Sequence, residues 1–247
     1  MWPQFIPLQK NKMKKLLLYI LLLSGLYSHA QFATNIFGRD PIIHLENFDK
    51  QRLHWGYFLG FNSYDFKFDY INDPGTDIEV KSNTGFNVGL VGNLRLFEYL
   101  DLRFEPGLYY TQRNLTFPGF EDQYDALREV KSTYIHFPLL LKFSSKRTGN
   151  VRPYLVGGFS KSLNLSSFSN AQEDNSAHTF RMKKWTTNYE VGFGIDLYLE
   201  FFKFSPSIRG VFGMDDELIR DADPNSPWTG NVGSMKTRAV FINFTFH

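Results

Sequence analysis

The chain has 247 residues, a formal net charge of +2 and no cysteine, which excludes disulfides, thiolate metal sites and a lipidated cysteine. Aromatic residues make up 17% of the chain, yet its mean hydropathy is −0.30 and no apolar run reaches the roughly 18 residues that a spanning helix needs. The composition therefore argues against a helical membrane protein and leaves two all-β alternatives, a membrane barrel and a phenylalanine-rich soluble sandwich.

The first thirty residues have the pattern of a secretion signal. A basic start at Met13–Lys15 precedes the apolar run Leu16–Leu23, and Ser28–Ala30 offers the small residues that cleavage after Ala30 requires. Residues 1–12 then form an upstream extension, and an N-terminal anchor is the alternative. Without the four lysines of this segment, 23 basic residues face 25 acidic ones, a net charge of −2. The mature chain therefore gives no indication of nucleic-acid binding.

Residues 31–53 are only weakly periodic, and we predict a periplasmic lead-in that packs under the domain that follows. From residue 54 to the end, apolar residues occupy every second position and glycine, polar or charged residues lie between them. The clearest segment is Thr84–Phe97, in which Phe86 and Val88 share one face while Gly85 and Asn87 share the other. A period of two predicts strands with two unlike faces.

Eight such strands are predicted, joined alternately by long and short connections. Outer-membrane barrels have long external loops and short periplasmic turns, whereas a soluble sandwich has no reason to sort its loops. We therefore predict an all-β protein whose residues 54–247 form an eight-stranded antiparallel transmembrane barrel of the outer membrane. Beyond Ser63 the apolar phase of the first strand is ambiguous, which indicates either a bulge or a strand leaving the membrane. The predicted strands are His54–Tyr70, Asn83–Phe97, Leu100–Thr116, Val130–Phe143, Val151–Leu165, Phe180–Leu199, Phe201–Phe212 and Arg238–His247.

Charged side chains lie on the face opposite the apolar one. A lysine or arginine facing lipid at the midplane would cost roughly 2–4 kcal/mol, and several would exceed a typical total stability of about 5–15 kcal/mol. We therefore expect these side chains to point inward and, since both signs occur in similar number, to pair across the lumen. The interior is then plugged and holds no open aqueous pore. The predicted interior network comprises Arg95, Asp101, Arg103, Glu105, Glu190, Asp196, Lys203 and Arg209.

The histidines give no indication of catalysis. Acyl transfer needs a nucleophile and a base within reach of each other, and no histidine has a serine two positions away on the same strand face. His136, on the inward face of the fourth strand, is interpreted as structural, and the acids at 215–217 lack the glycine-spaced pattern of a calcium loop. We predict no catalytic residue, no metal, no cofactor and no small-molecule substrate.

Two motifs carry a family signal. The strand Y-I-H-F-P-L-L-L-K-F lies at 134–143, and the fourth-loop motif D-P-N-S-P-W-T-G at 223–230 is followed by M-K-T-R at 235–238. With these motifs, residues 45–247 resemble the PorT family of Bacteroidetes. The strand motif is shared by many outer-membrane barrels of that phylum, and the fourth-loop motif is more specific. The resemblance implies an outer-membrane component of the type IX secretion system, needed for cargo export and, in gliding species, for export of surface adhesins. No catalytic residues are assigned in that family.

We accordingly expect a non-catalytic accessory or assembly component of that system. Its expected partners are outer-membrane lipids and other secretion components, with Asp223, Pro227 and Trp228 of the fourth loop as candidate contact residues. Trp228 is interpreted either as a partner anchor or as an aromatic of the loop core. The alternatives for the whole chain are a lipid A-modifying enzyme and a generic structural or adhesin barrel.

Overall fold

The computed structural model describes residues 42–247, so the predicted secretion signal and the first part of the lead-in lie outside the described residues. Within these described residues, ten strand segments form one sheet, in which β4 and β5 are two halves of a single barrel strand and β2 is a short addition. No helix in 42–247 is long and apolar enough to cross a membrane. The segments are β1 Leu53–Tyr70, β2 Glu79–Ser82, β3 Thr84–Phe97, β4 Leu100–Phe104, β5 Gly107–Thr116, β6 Leu127–Ser144, β7 Val151–Asn164, β8 Trp185–Tyr198, β9 Lys203–Gly213 and β10 Val232–Phe246.

The sheet closes into a ring because β1 pairs with β10 on one side and with β3 on the other. Between them the order runs β10, β9, β8, β7, β6, then β4 with β5, then β3, and these neighbours pair antiparallel. The prediction of an eight-stranded antiparallel barrel is confirmed. A ring of this size has an interior just wide enough to be filled by side chains.

The two ends of the barrel differ in the length of their connections. At the short-turn end, strands are joined by residues 98–99, 145–150 and 199–202. At the long-loop end, residues 71–83, 117–126, 165–184 and 214–231 join them, with the short strand β2 inside the first of these loops. The third loop is longer than predicted because β8 begins at Trp185 rather than at Phe180.

Two local features differ from the predicted strands, and a third resolves the ambiguous phase of the first strand. The third predicted strand is interrupted at Glu105-Pro106, where proline has no backbone N–H to donate to the ladder. β2, predicted as loop, pairs with the outer end of β5. Along β1 the register with β10 is continuous from Tyr57 to Asp69, so the ambiguous phase beyond Ser63 marks the strand leaving the membrane and not a bulge.

An aromatic girdle lies on the outer face near the long-loop end. Phe61, Phe86 and Tyr110 occupy neighbouring register positions, and so do Phe159, Tyr189 and Phe212. The rings of Phe86 and Tyr110 stack at 5.7 Å, and those of Tyr189 and Phe212 at 5.1 Å. Outward residues between the girdle and the short-turn end are predominantly apolar, and we call this zone the membrane belt. The aromatic girdle comprises Phe61, Phe86, Tyr110, Phe159, Tyr189 and Phe212.

Candidate functional site

A buried ion network crosses the lumen at the depth of the membrane belt. Arg209 on β9 binds Glu105 through Nη1 at 2.9 Å and Glu190 on β8 through Nε at 3.0 Å. Glu105 also pairs with Arg103, whose Nη2 donates to Thr245 Oγ1 on β10 at 3.3 Å. All of these side chains are buried. The network therefore joins one wall of the barrel to the other and neutralises its own charge.

A second charged cluster lies nearer the short-turn end. Asp196 on β8 accepts from Lys142 Nζ at 2.6 Å and from Ser205 Oγ at 2.7 Å, with Lys203 Nζ at 3.9 Å. The sequence prediction named Asp196 and Lys203 but missed Lys142. The signal was present, since strand alternation places Lys142 on the same face of β6 as His136.

Two of the eight predicted network residues lie elsewhere. Arg95 and Asp101 are half-exposed and flank the turn at 98–99, where the lumen reaches solvent. Arg95 Nη1 donates to the backbone oxygen of Asp49, in the segment that covers this mouth of the barrel. The predicted network therefore extended too far along β3 and β4, because alternation assigns a residue to a face but not to a depth.

His136 forms a contact that the sequence did not suggest. Its Nδ1 is hydrogen-bonded to Ser162 Oγ at 2.8 Å and its Nε2 to Glu190 Oε1 at 2.7 Å. This is the order of groups in a serine hydrolase triad. However, all three side chains are buried, and the rings of Tyr109 and Phe241 cover the imidazole at 5.1 and 5.7 Å. Ser162 escaped the sequence search because it lies on the neighbouring strand β7.

Aromatic side chains fill the lumen around these charges. The ring of Phe58 lies against Gly89 and Gly107, where an added Cβ would come within 2.5 and 2.7 Å of it. These two inward glycines therefore make room for a large side chain. Further buried rings belong to Tyr64, Tyr109, Tyr134 and Phe241. These rings and the two charged clusters together fill the interior of the barrel with side chains.

A short segment before β1 covers the mouth at the short-turn end. The ring of Phe48 stacks on His54 at 4.2 Å, and Lys203 Nζ lies 4.7 Å from its centroid. The Asp49 carboxylate accepts from Tyr198 Oη at 2.8 Å and lies 3.5 Å from Arg152. The described part of the lead-in, from residue 42, thus packs against the barrel.

At the long-loop end the interior becomes apolar. Arg113 marks the boundary, since its Nη2 donates to Tyr134 Oη at 2.7 Å while its guanidinium lies 3.8 Å from the centroid of Phe66. Beyond it, inward residues of the strands pack with residues of the loops in a single core. That core comprises Phe66, Ile78, Leu115, Phe117, Val130, Phe180, Met182, Leu218, Val232 and Met235.

The fourth loop folds onto its neighbours. The Asp221 carboxylate accepts from Ser226 Oγ at 2.5 Å and Thr229 Oγ1 at 2.9 Å within the loop, and from Asn175 Nδ2 of the third loop at 2.9 Å. Trp228 Nε1 donates to the backbone oxygen of Asp125 in the second loop at 3.0 Å, and its ring stacks on Phe120 at 5.1 Å. Trp228 is therefore part of the loop core.

The other two predicted contact residues, Asp223 and Pro227, are exposed on this folded surface. Beside them a cleft of about 480 Å³ opens between the first, second and fourth loops. Its lining includes Tyr70, Asn72, Pro118, Asn225 and Pro227, and none of the residues within 42–247 that line it is charged. We call the four long loops, with this cleft, the outer cap.

The acids at 215–217 bind groups of the protein itself. Asp215 accepts from the backbone N–H of Thr187 at 2.8 Å, and Asp216 accepts from that of Met235 at 2.9 Å. Glu217 accepts from the N–H and the hydroxyl of Thr237 at 3.0 and 2.9 Å. Burial raises the pKa of the Glu217 carboxyl.

A comparison with protein families agrees with this architecture. A family model described as an outer membrane protein beta-barrel domain matches residues 30–218. The chain belongs to that family. It is therefore an outer-membrane protein, and the short-turn end faces the periplasm while the outer cap faces the outside. A comparison with curated proteins finds no match.

Alignments with solved outer-membrane barrels cover most of the chain at low sequence identity. Neisserial surface protein A is 8% identical over 79% of this chain and 98% of its own, with a TM-score of 0.44. OprG from Pseudomonas aeruginosa is 17% identical over 79% and 94%, with a TM-score of 0.39. Ail from Yersinia pestis is 14% identical over 79% and 98%, with a TM-score of 0.37.

Proposed function

We propose that this barrel is a non-catalytic accessory or assembly component of protein export by the type IX secretion system, and serves adhesin export in gliding species. The observation that carries the proposal is the filled lumen. Because the ion networks and the aromatic rings occupy the interior, exported protein has no path through this barrel. A barrel of this kind acts on export through its surfaces. The fourth-loop motif at 223–230, which carries the resemblance to the PorT family, lies on one of them.

The outer cap is the surface that we assign to partner contact. It is held in one arrangement before any partner binds, since Asp221 joins the third and fourth loops and Trp228 joins the second and fourth. Asp223 and Pro227 are exposed beside the uncharged cleft. Such preorganisation lowers the entropy cost of association. We propose that another component of the secretion system binds here.

The test is deletion of the gene in its own host, followed by assay of a type IX cargo on the cell surface and in the medium. We expect the cargo to accumulate inside the envelope and to return on complementation with the wild-type gene. Normal export in the null strain would contradict the proposal and favour the structural or adhesin alternative.

Complementation with two loop variants then locates the contact surface. The first variant changes Asp223, Asn225 and Pro227 to alanine, all of them exposed residues beside the cleft. The matched control changes the exposed residues Gln172 and Glu173 of the third loop to alanine. We expect the first variant to reach the membrane but to export poorly, and the control to export normally. Equal export by both would remove the cleft from the proposal.

One observation favours a second candidate, a lipid-modifying enzyme. Ser162, His136 and Glu190 have the connectivity of a hydrolase triad, although their burial leaves no approach for a lipid in this structure. Mass spectrometry of lipid A from strains carrying Ser162→Ala, His136→Ala or His178→Ala tests it. An unchanged profile in all three strains would end this alternative, and a lost modification would replace the export proposal.

A further inference from the structure

The outer face of the barrel carries a group of basic residues where β7 and β8 meet the third loop. Lys161 on β7 points outward, between the outward residues Phe159 and Leu163. Its Nζ lies 5.5 Å from the ring centroid of Trp185, the first residue of β8. Lys183 is exposed and has the outward phase of Trp185, since Met182 and Thr186 at the alternate positions are buried. Lys161, Lys183 and Trp185 therefore occupy one patch of the outer face of the barrel.

Lys161, Lys183 and Lys184 differ from three other exposed bases near this end of the barrel. Lys67 pairs with Asp69 at 3.0 Å, Lys131 with Glu129 at 3.1 Å, and Arg238 with Asp65 at 2.5 Å. Within residues 42–247, none of the three lysines forms an ion pair with a carboxylate. This edge of the barrel therefore carries positive charge that its own acids do not neutralise.

The depth of Lys161 in the membrane indicates which group neutralises its charge. Phe159, two positions nearer the midplane on the same face, belongs to the aromatic girdle and pairs in register with Tyr189. Aromatic girdles mark the interface between acyl chains and headgroups. Lys161 therefore lies at the level of the headgroups of the outer leaflet, where a charged side chain is tolerated and an anionic lipid can supply the counterion.

The apolar surface continues on both sides of Lys161. Towards the midplane it includes Phe159 and Val191, and on the far side it includes Leu165 and Trp185, all of them exposed. An amphipathic molecule fits this arrangement, with acyl chains along the belt residues and a charged headgroup at the lysines. Lysine is a point-charge ligand suited to phosphate, and the tryptophan ring holds the Lys161 ammonium in place through a cation–π contact.

We propose that Lys161, Lys183 and Trp185 form a binding site for the phosphorylated headgroup of an outer-leaflet glycolipid of the lipid A class. The site lies on the outer face where the third loop meets β7 and β8, away from the cleft between the first, second and fourth loops, and it does not depend on the proposed export role. Its occupant anchors the β7–β8 side of the barrel to the outer leaflet.

Native mass spectrometry of the full mature barrel in detergent, titrated with diphosphorylated lipid A, tests the site. The wild type should retain one lipid A molecule, and Lys161→Ala combined with Lys183→Ala should weaken retention at least tenfold. The matched control is Lys131→Ala on the neighbouring strand β6, where the lysine already has Glu129 as its partner. This control should bind within twofold of the wild type.

A second titration uses lipid A from which both phosphates have been removed. It should bind the wild type as weakly as the phosphorylated lipid binds the double variant. Heat-modifiable migration on gels verifies that each variant is folded, which we expect because the substituted lysines are exposed. Equal binding by the wild type and the double variant, equal binding of both lipids, or an equal loss in Lys131→Ala would each overturn the proposal.

Discussion

The inward side chains of this barrel differ in polarity between the membrane belt and the long-loop end. Within the membrane belt the inward side chains include ion pairs such as Arg209 with Glu105, whereas at the long-loop end they form an apolar core around Leu115 and Met235. The same strands and the same inward face supply both regions. The difference teaches that strand alternation decides which residues face inward, while the medium outside the barrel decides their chemistry. Lipid outside places polar residues inside, and water outside places apolar residues inside.

The first strand shows this change within a few residues. Outward positions change from Leu59 and Phe61 in the belt to Asp65 and Lys67 beyond it, while inward positions change from Asn62 to Phe66. No register shift accompanies the change, since the pairing with β10 is continuous there. The phase of the strand is therefore constant and only its surroundings differ.

The largest expected effect comes from breaking the charged region. Arg209→Ala leaves the buried carboxylates of Glu105 and Glu190 without their shared partner. Removing one member of a buried ion network typically costs about 3–5 kcal/mol because the remaining charge is uncompensated. We expect a loss of this size in the free energy of unfolding, measured by urea titration of the barrel folded in detergent. Arg95→Ala is the control, because Arg95 lies outside the network, and it should cost no more than about 1 kcal/mol. Similar losses in both variants would contradict the assigned network.

The next largest effect comes from the apolar region. Leu115 is fully buried in the core at the long-loop end, and Leu115→Ala should cost about 2–4 kcal/mol through lost burial and the cavity that remains. Leu165→Ala, at an exposed position of the same end, should change the free energy of unfolding by less than about 0.5 kcal/mol. The same urea titration measures both variants. A cost for Leu115→Ala as small as that for Leu165→Ala would mean that the loops do not share a core with the strands.

The strands themselves were largely predictable because alternation with a period of two survives in nearly every segment. The eight-stranded ring followed from the strand count and the alternating loop lengths. Alternation also indicated that Arg103, Glu190 and Arg209 face inward, and these side chains are buried. Pairing partners were not predictable, since they depend on register between strands that are distant in sequence. Ser162 meets His136 only because Ser162 and His136 are opposite each other in the β6–β7 register.

Depth along the barrel was the other quantity that the sequence did not determine. Arg95 and Asp101 have the alternation of interior residues, yet they lie at the solvent-exposed mouth. The loop core was equally hidden, because Trp228 packs on Phe120 more than a hundred residues away along the chain. The motif at 223–230 marked the fourth loop as a candidate contact segment without showing what its tryptophan contacts.

A smaller effect is expected from Trp228→Ala. The substitution removes the N–H···O bond to Asp125 and the stacking on Phe120, while the charged region stays intact. We expect the outer cap to lose about 1–2 kcal/mol of local stability, and the global unfolding transition to change little. Proteinase cleavage within 119–126 should become faster in intact cells. A cleavage rate equal to that of the wild type would show that the second and fourth loops are not joined through this residue.

The smallest effect concerns the pH dependence of the outer cap. Burial raises the pKa of Glu217 above its ordinary value of 4.5, so its neutral form is favoured in the folded cap. Its stabilising contribution is complete below that ordinary value and is lost as the pH rises through the raised pKa, with a slope of at most about 1.4 kcal/mol per pH unit. Hydrogen exchange of the Thr237 amide should therefore show weaker protection at higher pH after correction for the intrinsic rate. Glu217→Gln should remove this trend, and a trend that persists in the variant would point to another group.

The most direct test of the filled lumen is the conductance of the purified wild-type barrel in a planar lipid bilayer. Because charged pairs and aromatic rings occupy the interior and Phe48 covers the short-turn end, we predict insertion without steady channel openings. Arg209→Ala, which removes a large side chain from the middle of the lumen, serves as the comparison and should be the more conductive of the two. A stable conductance from the wild type would contradict the filled lumen and, with it, the assignment of export to the outer surface of the barrel.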